Sequence, residues 1–178
     1  MKAVLLFGSP HTGGFTAGFA EKYIARRCDG YDVARFSAYE MLVRPCAGCG
    51  GCAGGAGCVY RDMDELLTAI AGAELLIIAS PVYYLSFPAP LKAVIDRLQP
   101  LYEAQGAGVG DMRDIRRRVA VLLTAGRPGE RGETVARQLR WVMQPLNADM
   151  DELLVIPGTD SLTPESFGEK VDMLLDRL

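Results

Sequence analysis

Five apolar runs, each followed by a stretch of helical spacing or a glycine-rich loop, organise this 178-residue chain. The runs cover residues 2–7, 31–37, 73–80, 118–126 and 151–158. Four are continuously apolar, and only the second alternates, weakly. Continuous runs of this length suit strands buried on both faces. Between and after them, residues 13–28, 63–72, 88–98 and 133–143 read as helices, and Pro164 opens a last one. The first helix carries Phe15, Phe19, Tyr23 and Ile24 near one face, and the last carries Phe167, Val171, Leu174 and Leu175. Asp62 and Glu65 are spaced as a capping box for the second. Helices covering both faces of a parallel sheet account for both patterns, so the expected fold is a three-layer α/β sandwich. Residues 1–178 are expected to form a single domain with a cysteine-rich loop at 38–60, and residues 99–116 to form a long glycine-containing excursion.

Composition narrows the function classes. Apolar residues make up 49% of the chain, which excludes a disordered or fibrous protein. A net charge of -3 gives no support to broad nucleic-acid binding. Arg116, Arg117 and Arg118 are the one tight basic run and read as a solvated lead-in to a strand. No apolar segment has membrane-spanning length. The opening "MKAVLLFGSP" stops in Gly-Ser-Pro and reads as a strand, not a secretory leader. A cytoplasmic location is expected.

In a sheet of this kind ligands bind beyond the carboxyl ends of the strands. Three loops fall there. The first, "GSPHTGGFT" at residues 8–16, leads into a helix start. Backbone N–H groups at such a start, with glycines and the hydroxyls of Ser9, Thr12 and Thr16 around them, suit a phosphate. A plain turn with a capping threonine is the alternative. The loop lacks the Gly-Lys-Ser/Thr of nucleotide hydrolases and the Gly-x-Gly-x-x-Gly of dinucleotide binders. The second, "SPVYYLSFP", offers Tyr83 and Tyr84 as an aromatic slot or as surface tyrosines. The third, "TAGRPGE", brings Thr124, Ala125 and Gly126 past a flat ring or forms an ordinary turn.

Four of five cysteines lie close together, as Cys46, Cys49, Cys52 and Cys58 in the pattern C-x2-C-x2-C-x5-C. Soft thiolates select iron-sulfur clusters or zinc, and three ligands on one compact loop resemble the run of bacterial ferredoxins. The glycines between them, Gly48, Gly50, Gly51, Gly54, Gly55 and Gly57, allow a tight path. A [4Fe-4S] cluster, zinc and free redox-labile thiols are the alternatives. Cys28 reads as a small apolar residue. His11 is the single histidine, so a histidine metal site and a Cys-His-Asp catalytic group are disfavoured. Asp149, Asp151 and Glu152 read as solvated surface.

Taken together, "GSPHTGGFT", the cysteine segment ending "CVYRDMDELL" and "SPVYYLSFPAPLKAVIDR" resemble the flavodoxin-like, NAD(P)H-dependent FMN reductase family over essentially the whole chain. The resemblance implies a five-stranded parallel sheet in the order 2-1-3-4-5. It implies an FMN phosphate at Ser9, His11, Thr12, Gly13, Gly14, Phe15 and Thr16. It places the flavin ring along Pro81, Val82, Tyr83 and Tyr84, with Thr124, Ala125 and Gly126 closing the far side. His11 stands where the family has arginine or lysine, and Phe15 where it has asparagine. Lys92, Asp96 and Arg97 match the family helix after the flavin loop and are expected to serve structure or an interface. The cysteine spacing resembles the iron-sulfur flavoprotein branch, in which a [4Fe-4S] cluster lies near the FMN of a neighbouring subunit. The implied activity is hydride transfer from NADPH or NADH to FMN, then electron transfer to a small molecule or redox protein, in a homodimer or homotetramer. An iron-sulfur electron carrier and a non-enzymatic flavin-binding module are the rival readings. No dedicated catalytic side chain is required, because the flavin performs the chemistry.

Overall fold

The computed structural model describes residues 1–53, 57–104, 112 and 114–178. Its elements are β1 (Lys2–Phe7), α1 (Phe15–Arg27), β2 (Asp32–Ser37), α2 (Asp64–Ala71), β3 (Leu75–Pro81), α3 (Ala89–Asp96), α4 (Gln99–Ala104), β4 (Arg117–Ala125), α5 (Glu133–Met143), β5 (Ala148–Pro157) and α6 (Pro164–Leu175). The five strands form one parallel sheet in the order β2-β1-β3-β4-β5, as expected.

Successive side chains of a strand point to opposite faces, and both faces here are covered. Leu5, Ile77 and Leu122 pack with Phe19 and Tyr23 of α1 and Phe167 and Val171 of α6. Leu6, Ile78 and Leu123 pack with Leu66 of α2, Leu91 of α3 and Leu139 of α5. The first six residues of β3 are fully buried, which is why that run shows no polar alternation. β2 lies at the sheet edge and is largely exposed, which explains its weak alternation.

Four local expectations are corrected. β5 begins at Ala148, because its charged first half pairs with the charged start of β4, Arg117 opposite Ala148 and Arg118 opposite Asp149. Asp62 does not cap α2, whose N-cap is Met63 without a side-chain bond; a capping box forms instead at α6, between Thr163 and Ser166. Residues 99–104 of the expected excursion are helical (α4), and 105–111 and 113 lie outside the described residues, as do Gly54 and Gly55. Glu152 is not solvated surface: its side chain is 17% exposed, it pairs with Arg27 at 3.2 Å, and its Oε2 is buried.

The basic run divides the same way. Arg116 bonds Asp149 at 2.6 Å and Arg118 bonds the Tyr31 hydroxyl at 3.0 Å, both at the surface. Arg117 between them is wholly buried. Its guanidinium donates to the carbonyls of Met112 at 3.1 Å, Ala71 at 3.2 Å and Leu146. Ala71 ends α2 and Leu146 lies just past α5, so the cation satisfies carbonyls that a helix C-terminus leaves open. Burial pushes the Arg117 pKa down.

Candidate functional site: a crevice beyond three strands and a cysteine-lined cavity

The three loops meet at Thr124. Pro81 at the end of β3 is paired with Thr124 of β4, and the Val82 amide donates to the Thr124 carbonyl at 2.8 Å. The Thr124 hydroxyl lies 2.7 Å from that of Thr16, both buried, joining the first turn of α1 to the end of β4 across 108 residues of sequence. A cavity of about 580 Å³ opens beside this junction, lined by Val82, Tyr83, Tyr84, Leu85, Ala125, Gly126, Arg127, Glu130 and Asp160.

The first loop reaches the junction through Thr16. The N-cap of α1 is Gly14, which offers no side-chain cap, so the helix's first amides are open donors. Gly13 has no atom within 4 Å of where a Cβ would stand, which leaves clear approach to them. Gly8 serves differently: it is buried, and a Cβ there would overlap the Leu91 side chain. Its missing side chain admits α3 rather than a ligand. Ser9 is buried and its Oγ accepts the His11 amide at 3.2 Å, which shapes the loop. His11 and Thr12 are exposed; none of the first loop's expected phosphate residues lines this cavity, nor do Pro81 and Thr124, and Gly13, Gly14 and Phe15 line a separate one with Lys22 and Phe167. The Phe15 ring stacks on Phe167 of α6 at 4.4 Å between centroids, so its side chain braces α1 against α6.

The second loop is a two-residue hairpin. The amides and carbonyls of Tyr83 and Ser86 exchange hydrogen bonds of 2.9 Å. Tyr84 and Leu85 between them have φ of 49° and 62°. That conformation favours Asn-Gly, and two residues with side chains store strain there. Tyr84 is fully exposed at the cavity rim. Leu85→Gly is expected to raise stability by about 1 kcal/mol, measured by urea unfolding, and an unchanged or lowered midpoint would deny the strain. Tyr39, which the sequence pattern did not mark, stands beside Tyr83; burial and then the neighbouring phenol push its pKa up.

Asp160 also escaped the sequence pattern. It sits on a short 3-10 turn after β5, and its carboxylate packs on Gly126, where a Cβ would overlap it.

The cysteines form a second centre. Cys46, Cys49, Cys52 and Cys58 all line one cavity of about 250 Å³, with Tyr60 and Arg97 in its wall. Gly48, Gly50 and Gly57 adopt φ of 64°, 71° and 82°, so the loop turns at each with little steric cost. Among the described residues no three cysteine, histidine or acidic groups stand close enough to form a metal-binding group. Donor chemistry and shared lining therefore fit a thiolate-ligated group, while the four sulfurs are not drawn together. Cys28 is buried beneath α1, apart from them.

Asp62 and Arg97 close this loop. Asp62 accepts the Arg44 amide at 2.9 Å and Arg97 Nη2 at 2.8 Å. Burial opposes ionisation of Asp62, but the hydrogen bonds from Arg97 and the Arg44 amide, with the Arg97 charge, together outweigh it and hold the pKa below the usual value. A carboxyl depressed on folding stabilises above its unfolded pKa, about 3.9, and that contribution is lost as pH falls through the folded pKa. Protease protection of residues 44–62 is thus expected to be flat from pH 8 to about 5 and to fall at lower pH. Asp62→Asn should show low protection throughout that range; a wild-type profile unaffected by this change would contradict the clasp.

Comparison with known proteins follows the same lines. The model of the family described as NADPH-dependent FMN reductase matches residues 1–150. An iron-sulfur flavoprotein of Archaeoglobus fulgidus is 36% identical over 102 residues, covering 56% of this chain and 46% of that protein. A second iron-sulfur flavoprotein of that organism is 29% identical over 167 residues, covering 92% of this chain and 76% of its own length. The chain spans about half the length of the first curated relatives it matches. Among solved structures, the NAD(P)H:quinone oxidoreductase of Methanothermobacter marburgensis superposes with a TM-score of 0.70 at 22% identity, over 99% of this chain and 93% of that one. That likeness is one of fold.

Proposed function

The chain belongs to the NADPH-dependent FMN reductase family, and from that premise we propose that it is an FMN-dependent oxidoreductase drawing electrons from NADPH or NADH and delivering them to a small-molecule or redox-protein acceptor. The observation that carries this is the Thr16–Thr124 junction, which ties an uncapped, glycine-flanked helix start to a cavity walled by two loops at the carboxyl ends of β3 and β4.

Each group then has a task. Ser9, His11, Thr12, Gly13, Gly14, Phe15 and Thr16 would form the phosphate loop, with the open amides of the helix start and the Thr16 hydroxyl as its chief donors. Pro81, Val82, Tyr83 and Tyr84 form one wall for the ring, and Thr124, Ala125 and Gly126 the other. When bound, FMN supplies the hydride-accepting and electron-releasing chemistry. Tyr84 at the rim shields the ring from water and orients the acceptor. The assembly is a homodimer or homotetramer, and the location cytoplasmic, where thiols stay reduced.

The cysteine cavity favours a second component: a [4Fe-4S] cluster held by Cys46, Cys49, Cys52 and Cys58. It is supported by the named likeness to iron-sulfur flavoproteins. Such a cluster would supply one-electron transfer beside the two-electron chemistry of the flavin. If nucleotide reduction proves slow, the same pair of cofactors describes an electron carrier.

Fluorescence titration of the apoprotein with FMN tests the site. One FMN bound per chain is expected. No binding would remove the proposal.

A further inference from the structure

Arg97 is buried to 3% exposure at the end of α3, and three sets of contacts converge on it. Its Nη1 donates to the Arg44 carbonyl at 2.8 Å, two residues before the first cluster cysteine. Its Nη2 donates to the Tyr60 carbonyl at 3.1 Å and to Asp62 at 2.8 Å, just after the last one. Its guanidinium also lies 5.1 Å from the centre of the Tyr60 ring, within cation–π range. One side chain thus holds both ends of the cysteine loop.

Other features remain unexplained by that clasp. Arg97 lines the cavity shared by the four cysteines, its guanidinium interacts with the Cys58 side chain, and its buried Nε makes no hydrogen bond to the clasp. A buried donor left unpaired is costly, and this one belongs to a cation beside four groups that become thiolates when they bind metal. The only carboxylate bonded to Arg97 among the described residues is Asp62. A neutralised cation would not call for a further anion, but the open Nε–H still calls for an acceptor. Sulfur carrying negative charge, whether cysteine thiolate or inorganic sulfide, supplies it.

We propose that Arg97 is the positioning residue of the cysteine cavity: it pins both ends of the loop and donates its Nε–H to a sulfur of the bound iron-sulfur cluster. This rests on the cluster reading above. It assigns two separable effects to one residue. The clasp preorganises the loop before metal arrives, and the hydrogen bond to sulfur raises the cluster's reduction potential.

The test compares wild type, Arg97→Lys and Asp62→Asn after anaerobic reconstitution with ferrous iron and sulfide. Lysine keeps the charge but cannot bridge both loop ends or present a fixed Nε–H. Asp62→Asn weakens the clasp and leaves the Nε–H in place. Iron and sulfide per chain, the cluster's midpoint potential by EPR-monitored titration, and protease protection of residues 44–62 in the metal-free protein are read on each. Both variants are expected to lose loop protection and to retain several-fold less iron. Only Arg97→Lys should shift the remaining cluster to lower potential. Wild type that takes up no iron would overturn the cluster reading, and with it the sulfur bond. Wild type that binds iron, with Arg97→Lys matching it in iron content, potential and protection, would overturn the role of Arg97 alone.

Discussion

Replacing Arg117 by methionine is expected to destabilise the fold by about 3–5 kcal/mol. The change removes a buried cation that three backbone carbonyls accept from. Two of those carbonyls, Ala71 and Leu146, belong to or follow helices α2 and α5, on the same face of the sheet. Without the guanidinium these three acceptors lose their side-chain donor. Methionine fills most of the volume, so the cost comes from hydrogen bonding rather than from a void. Lysine at 117 keeps a charge but offers a point donor in place of a fork, and it should recover only part of the loss. Against a typical total of about 5–15 kcal/mol, this change alone brings the domain near its threshold. Urea unfolding of the folded fraction measures it. A loss below about 1 kcal/mol would mean that the carbonyls find other partners.

The second large effect concerns Thr124. Thr124→Val keeps shape and removes the hydroxyl, leaving Thr16 buried with its partner gone. An orphaned buried hydroxyl costs about 1–3 kcal/mol. Removing both hydroxyls, in Thr16→Val with Thr124→Val, leaves nothing orphaned and should return most of that stability. FMN affinity behaves differently if the pair serves the ligand. Each single change is expected to weaken FMN binding about tenfold to a hundredfold, and the double change should not restore it. Stability measured by urea and affinity measured by titration therefore separate the two roles. Recovery of both in the double variant would make the pair a purely structural bond.

Much of this architecture was legible because a doubly covered parallel sheet leaves an unambiguous trace: β3 is buried along nearly all its length, and its sequence is apolar along that length. The trace fades where charge enters an element. β5 hides its first residues because Asp149 pairs with Arg116, just before β4, and Asp151 with Arg118 in it. Arg117 looks like its neighbours in sequence, and only the arrival of carbonyls from residues 71, 112 and 146 makes it a core residue. Asp62 has the spacing of a helix cap, but Arg97, 35 residues away, takes its carboxylate.

Part of the candidate crevice was legible in two of its loops, and its cross-links were not. Val82, Tyr83, Tyr84, Ala125 and Gly126 do line one cavity. The pairing of Thr16 with Thr124 depends on strand order, which no local pattern encodes. Phe15 departs from the family's asparagine, and the structure supplies a reason, since its ring stacks on Phe167. Asp160 comes from a turn with no motif of its own.

The most direct test of the account is an absorption spectrum of the anaerobic, FMN-supplied protein before and after adding NADPH, then NADH. The account predicts flavin bands that bleach promptly with at least one nucleotide. Flavin bands that neither nucleotide bleaches, or no retained flavin at all, would contradict it.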